Sequence, residues 1–526
     1  IGRGKETGKK SQVNIRVAVI GTGPAGLSAA HDLALLGYRV TIFEAAPAAG
    51  GMAVLGIPEY RLPRDILKSE IGEILDLGVE IKLNKRLGTD FDLPALREQG
   101  FEAVFIAIGA HKDRSLDING IHLDGVLPAV DFLLNANLGY KIDLGDRVVV
   151  VGGGDVAVDA ARVAARLGEE VYDRLATGNI VTIVDAARHA LRLGARDVHI
   201  VYRGTREEMR ASQEELEGAL EEGTVLHTGC IPGRIIGSRG SVTGLETLAT
   251  RSLYDEKGRR TLEPIPGSES TIECSSVILA IGQESDFSFI RPADGIAISK
   301  QGTIIADTET LATTAPGIFA GGDVVYGPRT IIEAVADGHK AARAIDNYLK
   351  GGQVKVVRRG WMVEVPPSYL PDPNHQHAPR VSPPKIPLDR RTGVSEVEEV
   401  FDEASAHDQS QRCLKCHVQT VFDSKLCILC GGCVDICPNN CLKIVPVEKI
   451  AGTSELTGLI KAQYGENIIE PQEAGAKETQ SQGTAMIKDE TQCIRCGLCQ
   501  RRCPTGAITM EAFWFEEGLV YAGEPE

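Results

Sequence analysis

Two runs near the end of the chain, CILCGGCVDICP at 427–438 and CIRCGLCQRRCP at 493–504, carry cysteines at the same spacing. Each reads C-x2-C-x2-C-x3-C-P. Three thiolates so spaced can wrap one corner of a [4Fe–4S] cube, while the fourth, before proline, reaches the other cube of a two-cluster domain. One cluster then takes Cys427, Cys430, Cys433 and Cys503, and the other takes Cys493, Cys496, Cys499 and Cys437. Two zinc sites would instead show paired C-x2-C knuckles, without the third Cys and the Pro.

Eleven of the 13 cysteines lie between Cys413 and Cys503. Three of these are outside the twin runs. The offset between the runs, 493 − 427 = 66, maps Cys441 onto Ala507, a small-residue position that reads as packing rather than ligation. Cys413 and Cys416 form a separate C-x-x-C beside His417, and no further ligands for a third metal are evident, so an unligated pair is the expectation. Cys230 and Cys274 stand alone and read as small buried side chains. A knot of disulfides suits a small domain without a core, whereas here a large glycine-rich body precedes the cysteines. Reduced thiols binding metal in the cytoplasm are the better reading.

What must feed such clusters lies upstream. Residues 13–45 run strand, helix, strand, and VAVIGTGPAG sets Gly21, Gly23 and Gly26 as G-x-G-x-x-G at the first turn. Gly21 permits the tight turn, Gly23 lets backbone approach a pyrophosphate, and Gly26 lets helix and strand pack closely. Glu44 ends the second strand, where a carboxylate can accept from a ribose hydroxyl. The helix N-terminus offers free N–H groups to the phosphates. AAGGM at 48–52 and GIFAGGD at 317–323 point to FAD as the dinucleotide.

GIPEYRLP (56–63), FIAIGA (105–110) and GGDVVYGPRTIIEAVADGHKAA (321–342) closely resemble the pyridine-nucleotide–disulfide-oxidoreductase-like family, in the branch of the glutamate synthase small subunit. The resemblance covers about 13–350. It implies FAD binding by Gly21, Gly23, Gly26, Glu44, Gly322 and Asp323, with Pro24, Ala25, Gly51, Gly109 and Thr330 beside them and Met52 and Arg61 as candidate flavin contacts. Thr330 would open a helix whose start faces the flavin. The family position of VVGGGDVAVD (150–159) makes Gly152, Gly153, Gly154 and Asp155 the nicotinamide dinucleotide loop, with Gly282 at a later strand end. The strand DVHIVYRG lacks a terminal acid and is followed by Arg203 and Arg206, a slight lean to NADP over NAD. The wording of QRCLKCH resembles a cysteine segment that precedes the flavin domain in that branch, although here it follows.

These motifs call for an α/β architecture of two Rossmann-like domains, the second inserted in the first, and a C-terminal α+β ferredoxin-like domain. The expected divisions are 13–144 with 283–350 for FAD, 145–282 for NAD(P), a Pro-rich linker over 351–404 and the iron–sulfur domain over 405–526. The linker rests on eight prolines in 366–387. The stretch between the cysteine runs, about 440–490, reads as a surface loop. VDAARVAARLG at 158–168 recurs as VDAARHALRLG at 184–194 and reads as a tolerated insertion.

The chain has 526 residues, 43% hydrophobic and 24% charged, which is ordinary globular composition. A net charge of −16 argues against nucleic acid or an anionic membrane as partner. No apolar run is long enough to span a bilayer and no signal peptide is visible. No dithiol pair lies near the flavin motifs, so electrons need another exit, and no Ser/His/Asp set or carboxylate pair offers substrate chemistry. Catalytic residues are therefore not assigned, the flavin itself carrying the chemistry. The expected function is electron transfer between NAD(P)(H), FAD and two [4Fe–4S] clusters. It would operate with iron–sulfur subunits or ferredoxin, within a hetero-oligomeric complex such as a 2-oxoacid oxidoreductase or a glutamate-synthase-like enzyme. A free-standing NAD(P)H:ferredoxin oxidoreductase and a non-catalytic iron–sulfur scaffold are the alternatives.

Overall fold

The computed structural model of the chain describes residues 14–166, 195, 197–254, 260–352, 354–370, 380–391, 393–410, 416–446 and 484–521. Contacts divide it into two compact units, Ile1–Gln353 with Lys385–Glu399 and Val354–Pro384 with Val400–Glu526.

In the first unit the order along the chain begins β1 (Arg16–Ile20), α1 (Pro24–Leu35), β2 (Arg39–Phe43), β3 (Glu80–Lys82) and β4 (Phe101–Ile106). It continues with β5 (Val126–Pro128), β6 (Arg147–Val151), α2 (Asp155–Arg166), β7 (Asp197–Tyr202), β8 (Val225–Thr228), β9 (Ser276–Leu279), β10 (Ile318–Ala320) and α3 (Ile331–Leu349). The strands RVAVI and RVVVV are apolar on both faces, as fully covered parallel strands must be, and become the central strands of two sheets. The first sheet has the order β10-β4-β1-β2-β3, the second β5-β9-β6-β7-β8, and every pairing in both is parallel. Each central strand leads through a glycine loop into a helix. Pro24 occupies the first turn of α1, where its missing N–H costs nothing. The alanine faces of α1 and α2 (Ala25, Ala29, Ala30; Ala157, Ala160, Ala161, Ala164) are buried against the sheets.

The opposite face of the second sheet is covered by the antiparallel strands Cys230–Ser238, Ser241–Tyr254 and Ser270–Glu273, which bury Ile235, Val242 and Leu245 against Val149, Val151 and Val201. Val126–Pro128, ahead of the expected boundary at 145, is the edge strand of this second sheet. Three residues ending in Pro carry too little periodicity to reveal which sheet they join. The first copy of the near-repeat lies in α2 as far as Arg166; the second lies outside the described residues.

The second unit is α+β. β11 (Val354–Glu364) pairs with β15 (Ile508–Tyr521), which pairs on its other side with β12 (Val418–Phe422). β13 (Leu442–Pro446) pairs with β14 (Thr484–Lys488). Two short helices, Gly432–Asp435 and α4 (Leu498–Arg502), follow corresponding cysteines of the two runs. The expected linker over 351–404 therefore does not begin as a linker: VKVVRRGWMVE is proline-free and valine-rich, and it is a strand of this unit. The expected loop between the cysteine runs starts and ends as β13 and β14, with 447–483 outside the described residues.

One glycine governs how α3 meets α1. A Cβ on Gly338 would lie 2.4 Å from the carbonyl oxygen of Ala25 and 2.7 Å from Ser28 Cβ. Gly338→Val is expected to force the helices apart at a cost of roughly 3 kcal/mol, the upper range for overpacking. Because Ala25 stands at the first glycine loop, bound flavin should be lost along with stability. Denaturant unfolding and flavin absorbance check this; a variant with unchanged midpoint and full flavin would contradict the packing.

Candidate functional site

In the first unit one cleft runs along the C-terminal ends of both parallel sheets, where ligands of such sheets bind, and both glycine loops line it. Gly21 has φ +106°, and a Cβ there would lie 2.5 Å from the carbonyl oxygen of Ala107. Gly26 has equally little room, since its Cβ would lie 2.0 Å from Gly21 O. Gly23 differs: its φ of −65° suits any residue, and nothing lies within 4 Å of where a side chain would start. The empty space beside Gly23 is what a closely approaching pyrophosphate requires. Gly51 (φ +55°) closes the next loop over it, its Cβ position being 2.7 Å from Gly23 Cα.

Around this loop the expected residues converge. Pro24, Ala25, Glu44, Gly51, Met52 and Gly109 all line the cleft, as do Gly322, Asp323 and Thr330. The Glu44 carboxylate is buried and held from both ends: Thr22 donates through N (2.8 Å) and Oγ1 (2.5 Å) to Oε2, and Ala46 N donates to Oε1 at 2.8 Å. Burial pushes the Asp323 carboxyl up to about 6, against the Arg329 backbone N–H that donates to it at 3.1 Å. Thr330 stands at the N-cap of α3, and its N and Oγ1 both donate to Glu333, at 3.0 and 2.6 Å; the first turn of that helix lines the cleft. Arg61 lines the cleft with the others, and its guanidinium is paired there: Nη1 lies 2.7 Å from Asp159 and Nε 3.0 Å from Glu215, both carboxylates of the second nucleotide unit. Burial pushes Asp159 up to about 6 even with Arg61 pulling the other way.

The second glycine loop repeats the first with its register clarified. Gly152 is confined like Gly21, its Cβ position 2.2 Å from Ala280 O. Gly154, not Gly153, is the open position with nothing within 4 Å; a side chain on Gly153 would strike the Tyr202 ring at 2.3 Å instead of a cofactor. The third small residue is Ala157, buried in α2, so the pattern is Gly152-x-Gly154-x-x-Ala157. Three consecutive glycines hid this register in the sequence. Asp155, Gly282 and Arg203 line the cleft. Arg206 does not, and its guanidinium lies 3.5 Å from Glu217. Arg210, which the sequence reading passed over, does line the cleft, and its backbone N–H donates to Gly153 O at 2.9 Å. Its signal was spacing: it is the third basic residue after the strand, after Arg203 and Arg206, and the turn at 205–209 carries it back to the loop. Cys230 also lines the cleft, whereas Cys274 is buried with its thiol pushed up by burial to about 12.

In the second unit the cysteines ring two small pockets. Cys427, Cys430, Cys433 and Cys503 line the first; Cys493, Cys496, Cys499 and Cys437 line the second. Among the described residues no three Cys, His, Asp or Glu side chains converge on a point suited to one ion. Thiolates spread around a void suit a polynuclear cluster, in which each sulfur takes a different iron. Cys441 is buried, as a packing position should be, but in the wall of the second cavity with its Sγ 3.3 Å from Cys437 Sγ. Cys416 is exposed, and Cys413 lies outside the described residues. No described helix is long and apolar enough to cross a membrane.

Two family models match the chain: pyridine nucleotide-disulphide oxidoreductase over 15–338 and 4Fe-4S dicluster domain over 426–507. The chain is 41% identical over 415 residues to NADP(+)-dependent formate dehydrogenase subunit beta of Moorella thermoacetica, covering 76% of this chain and 54% of that one. It thus spans about half the length of that relative. It is 32% identical over 363 residues to the glutamate synthase [NADPH] small chain of Escherichia coli (strain K12), 66% of this chain and 70% of that one. The solved structure of Mycobacterium tuberculosis FprA in complex with NADPH shares the fold at a TM-score of 0.53, with 19% identity over 64% of this chain and 85% of that one.

Gly23 and Gly154 make clean probes, because both tolerate a side chain sterically and both face the cleft. Gly23→Val should purify without FAD yet melt at the temperature of the flavin-stripped wild type, losing only the stabilisation that bound cofactor supplies. Gly154→Val should keep FAD and lose at least tenfold in nicotinamide affinity, whereas Gly153→Val should destabilise the fold through Tyr202. Flavin spectra, nicotinamide titration and thermal melts distinguish the three; equal behaviour of the Gly153 and Gly154 variants would refute the register.

Proposed function

Because the chain belongs to the pyridine nucleotide-disulphide oxidoreductase family and carries a 4Fe–4S dicluster domain, we propose that it is an electron-transfer subunit linking NADP(H), FAD and two [4Fe–4S] clusters within a larger complex. The observation that carries this reading is the pairing of a cleft lined by two glycine loops with two cavities, each ringed by three cysteines of one run and the fourth of the other. When bound, FAD exchanges hydride with nicotinamide and single electrons with clusters, which is why it must stand between them.

The chain's own residues bind and orient. Gly21, Gly23 and Gly26 open the first loop to a pyrophosphate, the N-terminus of α1 supplies donors for it, and Glu44 is fixed to receive a ribose hydroxyl. Asp323, near half-protonation around pH 6, can either donate to or accept from a flavin side-chain hydroxyl. Gly152 and Gly154 do the corresponding work for the nicotinamide dinucleotide, and Arg203 and Arg210 flank its loop. The eight cysteines would hold the clusters as thiolates, which suits a reducing compartment such as the cytoplasm. No side-chain set for carbon or nitrogen chemistry was found in the sequence. With relatives named as a formate dehydrogenase subunit and a glutamate synthase small chain, that chemistry is assigned to a partner subunit.

The order nicotinamide–FAD–clusters is tested by separating its halves. Cys496→Ala should leave flavin bleaching by NADPH intact in anaerobic stopped flow but abolish reduction of an iron–sulfur acceptor. Loss of flavin bleaching in a folded, FAD-replete Cys496→Ala protein would overturn the order.

Cofactor choice is tested at the arginines. Arg203→Gln and Arg210→Gln should each lower the preference for NADPH over NADH, read as the ratio of kcat/KM values, by about tenfold, the loss of one charge-assisted phosphate contact. Arg206→Gln should change it less than twofold, since that guanidinium faces Glu217. An unchanged ratio in both cleft variants would remove the assignment to NADP.

A further inference from the structure

The two cysteine cavities are related residue by residue through the 66-position offset between the runs, and the relation extends beyond the ligands. Cys427, Cys430, Cys433 and Cys503 of the first correspond to Cys493, Cys496, Cys499 and Cys437 of the second, and all eight line their cavities. Several wall positions obey the same offset but change character, and three of them bear on charge or thiol chemistry. Phe422 in the first wall becomes Lys488 in the second, Leu429 becomes Arg495, and Ala507 becomes Cys441. Both backbones are held alike: Leu429 has φ +54° and Arg495 φ +56°. Alike in backbone and in ligands, the sites differ in the charge and hydrogen-bonding capacity facing the cluster.

We propose that the two clusters are graded in potential, and that the second, walled by Lys488, Arg495 and Cys441, is the electron sink of the pair. This rests on the two-cluster reading above. Reduction adds a negative charge to a cluster, so nearby cations and donors to its sulfurs raise its potential. Lys488 has a side chain only 9% exposed, and a charge so buried is screened far less than one in water. Its partner Glu490, 2.7 Å from Nζ, is 54% exposed, so the cancelling charge is the better screened of the two. Arg495 is tied in place by Nε donating to Val418 O and Nη1 donating to Cys493 O, both at 3.0 Å, which keeps its guanidinium against the loop of a ligand; its Nη2 lies 3.4 Å from the same Glu490, so two cations share one exposed carboxylate. Cys441 lies 3.3 Å from Cys437. As a cluster ligand Cys437 is a thiolate and can only accept, so the thiol of Cys441 is the donor. Near the first wall, the Arg502 side chain passes Gly432, two residues after Cys430, and is exposed to solvent. Cys430 is itself exposed, which favours reduction of the first cluster; against it stand two fixed cations and a buried thiol at the second.

The experiment is an anaerobic redox titration of the full chain monitored by EPR, with iron and sulfide counted first. About eight of each per chain are expected for two four-iron clusters; an iron-free protein would sink the two-cluster reading itself, separately from this inference. In the wild type the signal that appears first on reduction should be absent from Cys493→Ala and present in Cys427→Ala. Cys441→Ala, which gives the second wall the residue of the first, should move that signal to lower potential, and Cys441→Ser, which restores a donor, should move it back. Lys488→Phe should shift it down again, and none of the three should move the other cluster. A merely structural role for Cys441 would make the Ala and Ser variants alike. The inference is overturned if the first signal to appear belongs to the cluster lost in Cys427→Ala. It is equally overturned if, in protein holding its full iron, Cys441→Ala titrates as Cys441→Ser does.

Discussion

At the end of each central strand the chain must turn through space that a neighbouring backbone already occupies. The carbonyl oxygen of Ala107 stands 2.5 Å from where a Cβ of Gly21 would be, and that of Ala280 stands 2.2 Å from the same point on Gly152. Only a residue without a side chain passes these points, and both adopt a positive φ that other residues resist. Everything functional in the first unit follows from those two turns. They aim α1 and α2 with their N-termini toward the cleft, and they leave Gly23 and Gly154 bare beside open space. The confined glycine and the open glycine two residues later do opposite jobs, one admitting protein backbone and the other admitting a ligand.

A second constraint joins the two nucleotide units. Tyr60 and Arg61, on the loop after the first flavin segment, enter a buried cluster on the second. Arg61 bonds Asp159 and Glu215, while Arg162 and Arg166 stack on the Tyr60 ring at 4.8 and 4.0 Å and share Glu222. Arg162 also meets Glu215. Buried charges of this kind are weak evidence for net stability, because desolvation offsets their attraction, yet removing one partner strands the others at roughly 3–5 kcal/mol. Such a cluster specifies geometry: it admits one arrangement of the units in which every charge is answered.

The iron–sulfur unit solves a similar problem by crossing over. Cys437 lies with the second run's cysteines and Cys503 with the first's, so neither cavity is complete without both runs. The strands that bracket the runs express the same duplication. Phe422, at the end of β12, faces the first cavity as Lys488, at the end of β14, faces the second. The two frames match in ligands and in backbone, and the residues that differ in their walls make them unequal.

Strong local rules were legible in the sequence. The cysteine spacing, the first glycine loop and the apolar central strands each repeat a pattern whose meaning lies within about a dozen residues, and the crossed cysteine sets follow from the spacing and its proline. What could not be read was set by contacts distant in sequence. Arg61 looked free until Asp159 and Glu215 came to meet it; Arg206 looked available and Arg210 drew no notice until a turn sent one to Glu217 and the other to the glycine loop. Among three adjacent glycines, only the Tyr202 ring decides which one faces the ligand. The proline-free VKVVRRGWMVE was absorbed into a linker because its partner, β15, lies some 150 residues away in the chain. Backbone conformation is written locally, because sterics and spacing act between near neighbours. The commitment of a charge or the partner of a strand is decided only when the folded chain brings the other half of the interaction into reach.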